Sequence, residues 1–460
     1  VSETQGQLTR PQGRLIVKEG IKLNYKRTFT VGLAFMSICA FWQLYDNIIP
    51  LILKNTFHLP DTLSGVIMAL DNVIALFLLP LLGAVSDKRN TRIGRRMPFI
   101  ITGTALAAVL MTVIPILDNT YFETQASWVF PVFLTVLGGL LISMALYRSP
   151  AVALMPDVTP KPLRSKGNAV INLMGSVGGI AYLIISSLMF RDKGVRNDYL
   201  MIFLIIAAIM VVSVLFLYLK VNEPECVKEV KEYEAAHPED NLEVVNEATE
   251  ETYLPKEVKK SLYFILASIA LWFFGYNAVT TAFSRYATIE WDMSLGQANL
   301  CLTVAMAVAI ISYIPIGELA ARIGRKKSII SGVILLSVCF LACFVLNHIM
   351  DGFSPVIVVI FCFIGIAWAT INVNSLPMVV EMCKESDIGR YTGYYYTCSM
   401  AAQIVTPILS GALLEHVGYW TMFPYGALFV FFSLLTMLNV RHGDNKPKLP
   451  EDKLELLDAD

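Results

Sequence analysis

The chain has 460 residues, of which 55% are hydrophobic and 16% charged, with 36 Lys and Arg against 37 Asp and Glu. An ordinary soluble domain carries about a quarter of charged residues, and the mean hydropathy here is +0.60. This balance excludes a disordered chain, a secreted disulfide scaffold and a nucleic-acid binder, and implies a polytopic membrane protein. The eight cysteines form no CxxC pair and no cluster with histidine, so no metal centre is expected. His58, His237, His348, His416 and His442 are dispersed among loops and span ends. Val1 to Arg27 is polar and basic without an apolar core, so no cleavable signal peptide is expected.

A helix needs about 20 apolar residues to cross about 30 Å of hydrocarbon. In chain order, such runs predict spans at 29–53, 61–86, 98–117, 128–156, 167–190 and 198–219. After a polar gap they resume at 261–286, 296–321, 328–347, 353–380, 391–414 and 419–440. With both termini placed in the cytoplasm, 31 of the 36 basic residues fall on that side, the bias expected of an inner face. The gap at 220–260 carries twelve acids and six bases and is read as a solvated linker with some helix. The chain thus divides into a cytoplasmic segment 1–28, a six-helix half 29–219, the linker 220–260, a second half 261–440 and a tail 441–460.

The halves repeat in sequence. Arg92-Ile93-Gly94-Arg95-Arg96, after the second span, recurs as Arg322-Ile323-Gly324-Arg325-Lys326 after the eighth. Arg164-x-x-Gly167 followed by Met174 is echoed by Arg390-x-x-Gly393 followed by Met400. Duplicated six-span units are a carrier architecture.

These residues resemble the major facilitator superfamily, whose loop between spans 2 and 3 reads G-x-x-x-D-[RK]-x-G-[RK]-[RK]. Here Gly83-Ala84-Val85-Ser86-Asp87-Lys88 is followed by four extra residues before Gly94-Arg95-Arg96. That insertion, the ending Met97-Pro98-Phe99-Ile100, and Pro150-Ala151-Val152-Ala153-Leu154-Met155-Pro156-Asp157 resemble the sucrose–proton symporters of plants and their animal and bacterial relatives, within the glycoside-pentoside-hexuronide carriers. The resemblance implies a twelve-helix, all-α fold of two pseudo-symmetric halves. It also implies a cytoplasmic latch formed by Gly83, Asp87, Arg92, Gly94, Arg95 and Arg96, with Gly324 and Arg325 as a weaker second copy because Ala321 stands where an acid would; a topology anchor with no conformational role is the alternative. The chain departs from the plant symporters at Leu141, where they carry an acid, and at Val152, where they carry an arginine. Arg148 is displaced from that position, and Asp61 replaces a histidine after Pro60.

Charges within spans are costly in lipid and mark function. Asp46 lies about 10 Å and Asp71 about 15 Å from the outer end, and Arg148 about 12 Å from the inner end. These three are the candidates for proton coupling; structural pairing for Asp46 and Asp71, and snorkelling for Arg148, are the alternatives. Gln43, Tyr45, Trp272, Tyr276, Asn277, Trp368, Asn372, Asn374 and Gln403 are the candidate substrate contacts, since rings stack on sugar C–H faces and amides meet hydroxyls. Helix packing is the alternative role for these residues. Glu318 and Glu381, near inner span ends, are read as structural. Gly175-x-x-Gly178-Gly179 is read as a close-packing stripe rather than a nucleotide loop.

The expected activity is alternating-access transport of a glycoside or disaccharide, sucrose- or maltose-like, with a proton as the coupling ion. No cofactor is expected beyond the proton gradient, and the partners are the solute, protons and membrane lipids. The location is the plasma (inner) membrane, and the working unit a monomer. A carrier of organic anions or drugs is the alternative; a membrane-embedded sugar transferase or a sensor is more remote, since no acidic or histidine catalytic cluster and no long signalling segment are present.

Overall fold

The computed structural model describes residues 23–160, 163–192, 196–236, 255–349, 354–382 and 388–444. The first half runs α1 (Tyr25–Asn55), α2 (Asp61–Lys88), α3 (Met97–Thr124), α4 (Val129–Asp157), α5 (Arg164–Met189) and α6 (Leu200–Lys220). A short helix α7 (Glu223–Ala236) follows. The second half runs α8 (Lys256–Glu290), α9 (Leu295–Ile323), α10 (Arg325–Ile349), α11 (Pro355–Val380), α12 (Ile388–His416) and α13 (Met422–Leu438). All but α7 belong to the twelve helices long and apolar enough to cross a membrane. Several overrun the apolar runs that announce them. Hydropathy stops at the first charge, whereas α8 keeps its backbone bonds through the polar turn at Lys256–Lys260.

Each half buries its own core. Phe41, Tyr147 and Phe203 belong to the first, and Trp272, Phe283 and Phe340 to the second. Lipid tails are as apolar as leucine, so helices associate through close approach rather than hydrophobic drive. The expected stripe on α5 provides such an approach: a Cβ on Gly178 would fall 1.9 Å from the Met36 carbonyl oxygen of α1. The halves meet where α2 lies along α12 and α5 along α9.

At the end that carries α7, ion pairs close within one half. Arg95 binds Asp157 at 2.6 Å and Arg96 binds it at 2.8 Å, while Asp87 also pairs with Arg96. The Glu223 carboxylate accepts from the backbone N–H groups of Arg95 (2.8 Å), Arg96 (2.9 Å) and Met97 (2.9 Å), capping α3 where its first amides have no helical partner. The second half repeats the device. Arg325 pairs with Glu381, and Asp444 accepts from the Lys326 N–H at 2.8 Å. Gly94 and Gly324 supply the positive φ, +112° and +96°, with which each loop enters its helix.

The linker is therefore less solvated than its composition implies. Glu223 and Val230 are buried, and α7 is tied to the first half by Arg27–Glu229 (2.8 Å) and Arg164–Glu234 (3.6 Å). Acids that read as a solvated run instead match the unpaired amides and bases of α1, α3 and α5. The remainder of the linker, 237–254, lies outside the described residues. Glu223→Ala removes three charge-assisted bonds and should lower stability by about 3 kcal/mol. A wild-type melting temperature of the purified variant in detergent would deny the cap this role.

Candidate functional site

A cavity lies between the halves at mid-depth, in two lobes that share Asp46, Thr280 and Thr281. The larger lobe, about 300 Å³, is lined by Gln43 and Ser176 from the first half and by Tyr276, Tyr313, Phe361 and Trp368 from the second. Tyr276 of α8 and Trp368 of α11 stack face to face, with centroids 3.6 Å apart and planes at 3°. Phe273 meets Trp368 edge-on at 5.4 Å. The result is a flat aromatic wall.

The smaller lobe, about 260 Å³, gathers Trp42, Asp46, Asp71, Asn72, Arg148, Asn277 and Gln403. Asp71 accepts from the N–H of Asn72 at 2.6 Å and from its side-chain amide at 2.8 Å. The Arg148 guanidinium stands 5.9 Å from the centre of the Trp42 ring, a cation–π distance. Two buried donors, Trp42 Nε1 and Asn277 Nδ2, have no hydrogen-bond partner among the described residues. Buried donors are rarely left unmet, so their position in a cavity marks them as handles for a ligand.

Seven of the expected side chains thus converge with Asp46: Gln43, Asp71, Arg148, Tyr276, Asn277, Trp368 and Gln403. Four others line neither lobe. Tyr45 is buried against Phe41 and Trp42, because neighbouring positions on a helix point about 100° apart and Asp46 takes the cavity side. Trp272 belongs to the second-half core; four residues along a helix rotate the face by about 40°, which separates it from Tyr276. Asn374 donates within its own helix to the Thr370 carbonyl at 2.9 Å, and Asn372 is buried in the same turn. Thr280 and Thr281 went unnoticed in the sequence, although they sit one turn beyond Tyr276 and Asn277. Trp42, Asn72, Ser176 and Tyr313 carry no charge to draw attention within their spans.

In the loop motif, Arg96 is buried, Asp87 and Arg92 are exposed, and Gly83 packs near Ser149 of its own half. Bonds that join the halves are found at the opposite end, away from α7. Asn47 of α1 donates to Ser284 (2.6 Å) and Asn299 (2.7 Å) and accepts from Tyr182 (3.1 Å), while Asn299 also donates to Ser186 (2.6 Å). The Gly296 N–H donates to the Phe190 carbonyl at 2.7 Å. Asp61 pairs with Arg285 at 2.9 Å and accepts from the Tyr419 hydroxyl. The cavity is therefore sealed at its far end. Arg285 had a signal in the sequence, as a lone charge in the last turn of an apolar span.

Among the described residues no cluster of His, Cys, Asp or Glu is built to hold a metal ion. A stretch of 126 residues is 30% identical to proton-associated sugar transporter A of Mus musculus and of Rattus norvegicus, covering 26% of this chain and 17% of each relative. The chain thus spans under a fifth of the length of these relatives. Among solved structures, a bacterial homologue of the iron transporter ferroportin in an inward-facing state superposes with a TM-score of 0.65 at 11% identity, covering 91% of this chain and 99% of that one. The nucleoside transporter NupG does so at 0.64 and 15% identity, over 90% and 99%. At such identities the likeness is one of fold. The Major Facilitator Superfamily pattern matches residues 31–292 and 265–457, so with its two six-helix halves around a mid-depth cavity this chain belongs to the Major Facilitator Superfamily.

Proposed function

We propose that this membrane carrier is a proton-coupled symporter of a glycoside or disaccharide, working by alternating access at the plasma membrane as a monomer. The carrying observation is the cavity itself: a stacked Tyr276–Trp368 wall in one lobe, unmet Trp42 and Asn277 donors in the other, and Asp46 between them. A sugar offers both complements, C–H faces for the rings and hydroxyls for the donors. The name of the curated relative, a proton-associated sugar transporter, supports the same substrate class over the stretch it shares.

The smaller lobe holds two carboxyl groups and one guanidinium. With both acids ionised it carries one uncompensated negative charge, costly away from water. A proton on Asp46 or Asp71 cancels that charge, and a carboxyl group whose surroundings change between access states changes its proton affinity. Asp46 is the coupling residue of choice because it stands where the lobes meet. With the termini in the cytoplasm, the sealed end is the outer one and the chain is inward-facing. Asp87, Arg92, Arg95 and Arg96, with Arg325 in the other half, then form the latch that engages when the inner ends close. Arg148 in the cavity wall favours a second reading, a carrier of organic anions.

Uptake into proteoliposomes from a panel of sugars and carboxylates, with and without an imposed pH gradient, tests both readings. Gradient-driven accumulation of a sugar is expected; accumulation of carboxylates alone would replace the first reading by the second. Asp46→Asn should abolish accumulation yet keep sugar exchange, with Asp71→Asn milder, and full accumulation by Asp46→Asn would remove it as the coupling group. Trp368→Ala should raise the KM for uptake about tenfold, the equivalent of about 1.4 kcal/mol of lost ring contact; an unchanged KM would deny the wall its role. For orientation, cysteines placed in 237–254 should resist impermeant thiol reagents in intact cells, and labelling from outside would invert the topology.

A further inference from the structure

Asp61, the first residue of α2, lies outside both lobes and is 1% exposed. Its carboxylate has three partners: it forms an ion pair with Arg285 Nη1 at 2.9 Å, accepts from Lys54 Nζ at 3.1 Å, and shares the Tyr419 hydroxyl between its two oxygens at 3.0 and 2.9 Å. Lys54 belongs to the same half as Asp61, whereas Arg285 and Tyr419 belong to the other. We infer that Asp61 and Arg285 form a charge lock that holds the far end shut and must break before solute enters from that side. The inference rests on the alternating-access reading above.

The surroundings are built to close at this point. A Cβ on Gly65 would fall 2.1 Å from the Pro407 carbonyl oxygen, and one on Gly411 would fall 2.5 Å from the Asp61 carbonyl oxygen. Beside them, Thr62 donates its N–H (2.9 Å) and hydroxyl (2.5 Å) to Glu415 across the same boundary. The lock is also incompletely satisfied. Arg285 is 8% exposed, and Asp61 is the one acid within ion-pair distance of it among the described residues. Neither its Nε nor its Nη1 makes a hydrogen bond, the contact with Asp61 being an ion pair alone, and the face of Tyr419 stands 5.6 Å away. An unmet buried donor raises the energy of the closed arrangement, which suits a contact that has to be released in every cycle.

The pair is asymmetric, and this sets an order among variants. Without Arg285, Asp61 keeps Lys54 and Tyr419, so the closed end loses one ion pair but strands no charge. Without Asp61, a buried guanidinium has no counter-ion, and stranding a buried charge costs more than deleting both partners. Removal of both charges should therefore close the end again.

The test is the distance across the far end in lipid nanodiscs without solute, measured between spin labels at His58 and Val417 attached through genetically encoded reactive side chains. Asp61→Asn should raise the long-distance population about tenfold. Arg285→Gln should give a smaller rise, and the Asp61→Asn/Arg285→Gln double variant should return towards the wild-type distribution. A monodisperse Asp61→Asn carrier with unchanged distances, or a double variant more open than Asp61→Asn, would overturn the lock. Gly65→Ala serves as the reference, since it blocks closure by its volume alone. If it too leaves the distances unchanged, the end does not open at all, and the alternating-access reading itself fails.

Discussion

In hydrocarbon an amide or a charge has no water to turn to, and the molecule is organised around that constraint. Every spanning segment is a helix, which satisfies its own backbone. The polar side chains within spans turn towards one another or towards the central cavity, where Asp46, Asp71, Arg148, Asn277 and Gln403 collect. At the helix ends, where the ladder of backbone bonds runs out, carboxylates are brought in from elsewhere in the chain. Glu223 and Asp444 travel from beyond the sixth and twelfth spans to cap α3 and α10. The sequence echo between Arg92–Arg96 and Arg322–Lys326 thus marks a pair of structural joints whose acids are supplied by segments with no visible likeness.

That contrast explains what could be read from the chain. The twelve helices, the two halves and the basic loop were legible because hydropathy and repetition are local properties. The cavity was legible in part, since a charge in a span announces itself, and so Asp46, Asp71 and Arg148 were found. Uncharged residues gave less. Trp272 and Tyr276 share a helix and a chemistry, yet only Tyr276 stacks on Trp368, and the choice depends on how α8 is rotated against α11. Asn372 and Asn374 line neither lobe for the same reason. Asp61 drew notice only as a departure from a family pattern, because its partners Arg285 and Tyr419 lie more than two hundred residues away.

The two ends of the bundle are tied by different means. Near α7 the pairs Arg95–Asp157 and Arg325–Glu381 each bind helices of one half, so they stiffen the halves as units without holding them together. At the far end Asn47, Asp61 and Thr62 all reach across the boundary. The proposed rocking of one half against the other suits such a division, with ties inside each half and separate ties across the boundary. Backbone approach at Gly65 and Gly296 sharpens it, because surfaces that fit without side chains meet fully or part fully.

The same helices that line the cavity also carry the seal, one to three turns further on. On α8, Asn277 and Thr281 face the cavity and Arg285 faces Asp61; on α12, Gln403 and Pro407 border the smaller lobe while Glu415 holds Thr62. On α1 the two roles are adjacent, with Asp46 in the cavity and Asn47 in the amide cluster. From Asn277 to Arg285, α8 runs about 12 Å with no proline inside it, so on the proposed reading a ligand that draws Asn277 inward shifts Arg285 with it. Binding energy at the cavity is thereby available at the boundary bonds, through rigid helix rather than through a chain of side-chain contacts. On the proposed reading, placing cavity and seal on single helices couples solute to gate with no further element.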